Sequence, residues 1–267
     1  MSALLSAEDL HHTYSPGKPE EHQALGGITF SVHEGEFVSI VGPSGCGKTT
    51  LMRCLSGLMQ PTAGTVSMEG QTITSVPAHL TLVFQDYSRS LYPWLRVADN
   101  VDFPLKDHRI PRAERKERVA QALADVGLTG HETKYPRQLS GGMQQRVAIA
   151  RAFAAHPQLL LMDEPFGALD EMTREHMQSE LLQICEATGT TVVFVTHSIP
   201  EAVYLSDRVI VMSPRPGRIV DVIDVSLGDG RTEDTREDER FYASITEVRE
   251  ALRGIEQAEI VGGVDDR

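Results

Sequence analysis

The chain has 267 residues, of which 40% are hydrophobic, and a formal charge of −13 at neutral pH. This length suits one large domain or a domain with an appendage, and the acidic balance argues against a nucleic-acid partner gripped by a broad basic surface. No run reaches the ~18 apolar residues of a bilayer span, the N-terminal residues lack the basic and apolar regions of a signal peptide, and three cysteines without C-x-x-C spacing fit a reducing compartment. A soluble intracellular protein is expected, one that works at a membrane only through a partner that crosses it.

Residues 1–36 read as short strands and turns: Ala7–Leu10, a polar loop over Ser15–Glu20, and the alternating run Ile28–Val32. Glu34-Gly35 turns the chain into the apolar run Phe37–Val41. This run meets Gly42-Pro-Ser-Gly-Cys-Gly-Lys-Thr-Thr50 and then a helical pattern over Leu51–Leu55. Strand, glycine-rich loop and helix in this order form the setting of a phosphate-binding loop. Gly42, Gly45 and Gly47 let main-chain N–H groups converge on phosphate oxygens, and the new helix aims its unsatisfied N–H groups at the same place. Lys48 brings a mobile cation for the β- and γ-phosphates, and Thr49 a hydroxyl for Mg2+. Together with Ser44, Cys46 and Thr50 these residues are the candidate nucleotide contacts. The stretch implies binding of ATP or GTP.

Further along, Gly64–Met68 and Thr72–Thr74 read as a hairpin joined by Glu69-Gly70, and Leu80–Phe84 as a strand ending at Gln85. A mostly helical insertion, separable from the core, is expected over about 88–155, with helices over 112–126 and 141–156. Leu159–Met162 and Val192–Thr196 are apolar without alternation, as strands buried on both faces of a parallel sheet are. A helix over 174–188 lies between them, capped by Gly189. Val209–Met212 and Arg218–Val220 form a strand-turn-strand finish around Pro214–Gly217, which closes a domain spanning 1–226. Residues 227–267 are a different kind of chain. The polar run 228–240 reads as a solvated linker, Phe241, Ile245, Val248 and Leu252 are spaced for one amphipathic helix, and the last ten residues are expected to fray.

Two further stretches carry chemistry. Leu159–Met162 leads into Asp163 and Glu164, and an acid at the carboxyl end of a parallel strand lies where α/β folds bind ligands. Asp163 suits Mg2+, directly or through a water, and Glu164 suits the base that orients and polarises an attacking water. Leu139-Ser-Gly-Gly-Met-Gln-Gln-Arg146 opens a helix with Ser140, Gly141 and Gly142, a second anion site without a lysine. One nucleotide does not need two such cradles from one chain. Two chains arranged head to tail, each holding ATP between its own loop and its partner's serine-glycine helix, use both.

With these motifs together, the chain resembles the ATP-binding subunits of ABC transporters from about residue 7 to residue 222. Its Walker A loop is 42–50, its Walker B strand 159–164 and its signature 139–143. Gln85 stands at the Q-loop position, Ala168-Leu-Asp170 at the D-loop, His197 at the switch histidine, and Tyr14 where an aromatic stacks on adenine. The resemblance implies an α/β fold: a P-loop NTPase with a RecA-like parallel-sheet core, an antiparallel β subdomain and a helical insertion. It implies that Gln85 and Asp163 serve Mg2+ and water, that His197 contacts the γ-phosphate, and that Ser140 and Gly142 close on that phosphate from the other subunit. ATP hydrolysis is then linked to closing and opening a dimer beneath membrane permease subunits, at the cytoplasmic face of the membrane.

A finer likeness is to importers of nitrate, sulfonates and taurine. It rests on Leu91-Tyr-Pro-Trp-Leu-Arg-Val-Ala-Asp-Asn-Val101, on Met143 in the signature, and on Leu205–Val209 leading to Ser213-Pro-Arg-Pro-Gly-Arg-Ile219. It implies uptake of a small anion delivered by an extracytoplasmic binding protein. Tyr92 and Trp94 fall where such importers receive a short helix of the permease. One departure is Ser198, which stands where the family usually carries an acid after the switch histidine. The alternatives are a soluble ABC ATPase of DNA repair or translation, or the ATPase of another ABC transporter class. The single compact cassette and the acidic balance disfavour the first; residues 91–101 and 205–219 disfavour the second.

Overall fold

The computed structural model describes residues 3–85, 90–106, 110–228 and 230–262. Two twelve-residue strands, β1 (Ala3–Tyr14) and β2 (His22–His33), pair antiparallel at the start, and the fully buried β3 (Phe37–Val41) leads through the glycine loop into α1 (Lys48–Leu55). A hairpin, β4 (Ala63–Met68) and β5 (Gln71–Thr72), precedes β6 (Leu80–Val83). The helices α2 (Val97–Asp102), α3 (Arg112–Asp125) and α4 (Gly141–Ala154) follow, then β7 (Leu159–Asp163) and α5 (Glu171–Thr188). The chain continues through β8 (Thr191–Val195), α6 (Ile199–Leu205), β9 (Arg208–Met212), β10 (Ile219–Asp224) and α7 (Glu239–Gly262).

These elements fall into two compact units, one of residues 1–78 and 191–267, the other of residues 79–190. In the first unit β2, β1, β4 and β5 form an antiparallel sheet in that order. Beside this sheet's elements in sequence, β3 lies between β8 and β9, parallel to both, and β10 closes antiparallel on β9. Every residue of β3 and β8 is buried, which is why neither shows the polar alternation of a one-sided strand. The short helix α6 packs on β3 and β9, and α7 packs on α6, β9 and β10. The buried side of α7 is Phe241, Ile245, Val248 and Ile255, and each such side chain taken from water contributes about 1.5–3 kcal/mol.

In the second unit β6 and β7 run parallel, in register from Leu80 opposite Leu159 to Val83 opposite Met162. α4 packs on α2, α3 and β6, and its buried side chains, Val147, Ile149 and Phe153 among them, make it the centre of that unit. The expected start of the helical insertion at residue 88 lies outside the described residues.

Two sequence readings are revised at the C-terminus. The polar run 228–240 is not a freely solvated linker: a 3-10 turn spans Glu233–Glu237, and the Arg231 side chain is only 6% exposed. The chain folds back because Arg231 finds acceptors on the body. α7 then runs to Gly262, into the stretch expected to fray, and residues 263–267 lie outside the described residues.

The three cysteines are free and buried. Burial pushes the thiols of Cys54 and Cys185 up, to about 11 and about 12, because a thiolate there has lost its water. Both should therefore stay silent towards a thiol-disulfide reagent at pH 8 in the native protein and react on unfolding. Stoichiometric labelling of either in the folded chain, read by peptide mass spectrometry, would contradict the packing.

Candidate active site

β3 delivers the glycine loop at its carboxyl end, and the loop closes through Gly47, the N-cap of α1, at φ 97°. A side chain is strained there, and a Cβ would also stand 2.8 Å from the Ala24 carbonyl oxygen. Ser44 and Gly45 form the exposed crest. Lys48 is buried, and its ammonium arches back over its own loop, donating to the carbonyls of Gly42 at 2.7 Å and Pro43 at 3.0 Å. Cys46 turns its sulfur inward, fully buried, and its N–H donates to the Pro43 carbonyl at 3.3 Å. An alkylating reagent therefore meets this thiol only after the loop has moved.

Thr49 is exposed at the start of α1, whereas Thr50 is buried and shares a 3.1 Å hydrogen bond with the Tyr14 hydroxyl. Tyr14 also reaches the Met59 sulfur at 3.7 Å and meets the His12 ring edge-on at 4.7 Å. Thr50 thus acts through Tyr14: it fixes the ring at the foot of the loop.

His197 is exposed just beyond β8, whose Val195 pairs with Ile40 of β3, so His197 and Gly42 follow the carboxyl ends of adjacent strands. The residues on either side of it are held tightly. The Thr196 hydroxyl donates to the Glu201 carboxylate and accepts from the Ser198 N–H at 3.0 Å. Ser198 is the N-cap of α6, accepting from the Glu201 N–H at 3.4 Å. Serine and aspartate are both good N-caps, so Ser198 does locally what an acid at this position would do.

The second unit assembles the other half of the chemistry. Asp163 ends β7 and is buried, and Glu164 follows at φ 47°, a left-handed backbone uncommon outside glycine. Such strain persists where the surroundings require one orientation, as at active sites. The Gln85 amide donates to the Glu164 carboxylate at 2.9 Å, so β6 and β7 bring the two residues together. Ser140 caps α4, accepting from the Met143 N–H at 3.3 Å, and its removal is expected to cost about 1 kcal/mol of helix stability. A Cβ at Gly142 would lie 3.3 Å from Leu169 and 3.4 Å from the Ala168 carbonyl, so the signature and the 168–170 turn are in contact. Asp170 caps α5 by accepting from the Thr173 N–H at 3.0 Å and hydroxyl at 2.9 Å, bonds that hold its carboxyl below the usual carboxylate range.

The ABC transporter family model matches residues 25–167. The chain belongs to the ABC transporter family. The nitrate import ATP-binding protein of Synechocystis is 42% identical over 261 residues, covering 96% of this chain and 97% of the relative. The taurine import ATP-binding protein of Pelagibacter ubique is 40% identical over 266 residues, covering 98% and 99%. The bicarbonate transport ATP-binding protein of Synechococcus elongatus is 46% identical over 232 residues, 85% of this chain and 34% of that longer relative. Among solved structures, a dimeric ATP-binding cassette in a post-hydrolysis state with ADP and phosphate superposes with TM-score 0.75 at 34% identity, covering 83% of this chain and 99% of that one. The protein is an ABC ATPase that binds and hydrolyses ATP, the ATP-binding subunit of an importer-type transporter.

Two functional features of this ABC ATPase escaped the sequence reading. Gln145, buried at 2% exposure, accepts from the Ala168 N–H at 3.1 Å and ties the signature helix to the D-loop; a glutamine inside a helix gives no such signal. The other is the turn Ser213–Arg218, quoted above only as a mark of the importer branch. Gly217 exchanges backbone hydrogen bonds with β2, donating to Ala24 and accepting from Gly26, both at 2.9 Å. Its Cα lies against the back of the phosphate loop, where a Cβ would come 2.1 Å from the Cys46 carbonyl oxygen. On the other side Arg215 approaches to 3.3 Å of a Cβ built on Gly45. The turn buttresses the loop. Gly217→Ala should therefore weaken ATP binding about 10-fold or more, since relieving the overlap displaces the Cys46 peptide. Calorimetric titration with ATP checks this, and unchanged affinity would remove the turn from the site.

Proposed function

We propose that this chain works as a head-to-tail pair, each copy holding ATP with its own phosphate loop and closing the other's nucleotide with the Ser140–Gly142 helix start. The observation that supports this most strongly is the pair of glycine-rich helix starts, one carrying Lys48 and the other, capped by Ser140, carrying no cation. The second is built for an anion already neutralised on its far side. The related cassette bound to ADP and phosphate is itself dimeric, which supports a paired state for this chain.

In this reading ATP draws the Lys48 ammonium from the Gly42 and Pro43 carbonyls onto phosphate oxygens, and Tyr14 stacks on the adenine. Glu164 takes the proton of the attacking water, with the Gln85 amide orienting its carboxylate. His197 contacts the γ-phosphate, and Asp170 lies at the copy-to-copy face. Thr49, Gln85 and Asp163 offer the hard oxygen donors that suit Mg2+. Mg2+, when bound, neutralises phosphate charge. Loss of the γ-phosphate removes the strongest contact across the pair, and the pair opens.

Among the described residues no helix is long and apolar enough to cross a membrane. The import relatives support work beneath separate permease subunits, at their cytoplasmic face. Tyr92, Trp94 and Phe103 form a surface cluster suited to gripping a permease helix. Ring centroids lie 5.6 Å apart for Tyr92 and Trp94 and 4.5 Å for Tyr92 and Phe103, and Trp94 is 71% exposed. The buried Asn100 side chain holds this loop through the N–H and carbonyl of Tyr92 and the carbonyls of Leu95 and Arg96. The names of the nitrate, taurine and bicarbonate relatives support a small anion or zwitterion such as nitrate, an aliphatic sulfonate or taurine as cargo, delivered by an extracytoplasmic binding protein.

Glu164→Gln is expected to bind ATP normally, lose hydrolysis by about 100-fold or more, and accumulate as an ATP-bound dimer on gel filtration. Hydrolysis near the wild-type rate would take Glu164 out of the role of base. Trp94, the chain's only tryptophan, should change its emission when the chain assembles with the permease it co-purifies with from solubilised membranes. An unaltered spectrum in that complex would place the partner elsewhere.

A further inference from the structure

The C-terminal extension has no part in the motifs above, yet it grips α6, the helix capped by Ser198 just after His197. Arg231 is almost fully enclosed, and its guanidinium donates to the Tyr204 carbonyl at 2.9 Å and to the Asp207 carboxylate at 3.2 Å. Arg236 stacks on the Tyr204 ring, 3.7 Å from its centroid, and that ring is completely buried. Phe241, Ile245 and Val248 follow on α7, which packs against α6. Two cations thus hold the carboxyl end of α6, the end that a helix dipole makes favourable for positive charge.

The same end is anchored to the strand that carries the phosphate loop. The Ser206 hydroxyl donates to Ser39 of β3, and Asp207 bridges to Phe37, accepting from its N–H at 2.9 Å through the carboxylate and donating to its carbonyl at 2.8 Å. At the other end of α6, Glu201 holds both neighbours of His197, its carboxylate accepting from the Thr196 hydroxyl and its N–H donating to the Ser198 hydroxyl. With only seven residues in between, α6 is a rigid bar from Arg231 to His197. We infer that the C-terminal extension is part of the switch, with Arg231 as a positioning residue that sets His197 through α6. The inference rests on the reading of His197 as the γ-phosphate contact. Arg231 touches no nucleotide; it fixes the register in which α6 presents the histidine, so its loss acts on turnover and leaves ATP binding by the phosphate loop intact.

The test uses the full chain with Arg231→Ala, Arg231→Lys and His197→Ala, assayed for ATP hydrolysis, melting temperature and the histidine side-chain NMR spectrum. His197→Ala assigns the His197 signal. Arg231→Ala should lower kcat about fivefold at unchanged KM for ATP and move the His197 resonance, and Arg231→Lys, which keeps a donor for the Tyr204 carbonyl, should recover part of both. If Arg231→Ala does not fold, Arg231→Lys against wild type carries the same comparison at smaller amplitude. An unmoved His197 signal, or a kcat that falls only in proportion to lost folded protein, overturns the inference while leaving His197 in its role. Wild-type turnover by His197→Ala overturns the reading of His197 itself, whatever Arg231 does.

Discussion

Everything in this structure answers to the charge of a triphosphate, which must be met by backbone N–H groups and one ammonium without the loop collapsing. An isolated loop cannot do this, because its own carbonyls compete: Lys48 spends its protons on Gly42 and Pro43. What keeps the loop open is what surrounds it. β3 brings it to the carboxyl end of the strands, Gly47 turns into α1 in a backbone other residues resist, and the Gly217 turn presses on its back at the Cys46 carbonyl. Each contact is short-range and backbone-deep, so the loop's shape belongs to the fold rather than to the loop residues alone.

That distinction explains what could be read from the sequence. The phosphate loop, β7 with its two acids and the capped signature helix were legible because each is local: a strand, a turn and a helix start with residue types set by backbone geometry. The Gln85–Glu164 bond, the Gln145 link to the D-loop and the Gly217 buttress were not, since they join residues 79, 23 and more than 160 positions apart. α6 was missed for a different reason. Seven residues are too few to show a helical period, and its cap, Ser198, had been considered only as a departure from the family pattern. The linker at 228–240 misled because its composition is that of solvated chain; a buried arginine that finds a carbonyl and a carboxylate leaves no mark in composition.

The two units divide the labour along the same line. The first carries the residues proposed to hold a nucleotide, Tyr14, Lys48 and Thr49, with His197 following β8, the strand next to β3. The second carries those proposed to act on water or on a neighbouring copy, Gln85 with Glu164 and Ser140 with the 168–170 turn. In the proposed cycle binding and hydrolysis must be separable, for an ATP-bound state has to last long enough to do mechanical work before hydrolysis ends it. The left-handed backbone at Glu164 fits that need, since it ties the base's direction to the end of β7 and to Gln85.

His197 stands at the margin of this division. It belongs to the unit that holds the nucleotide, but the reading above gives it a task at the moment of hydrolysis. Its own side chain is exposed, and its position is set by neighbours: Thr196 and Ser198 beside it, Glu201 one turn on, and α6 behind. A histidine held this way answers to the far end of a short helix, which itself contacts no nucleotide. The extension beyond residue 227 is attached at that far end through Arg231 and Arg236, so a segment with none of the family's motifs still bears on the helix behind His197.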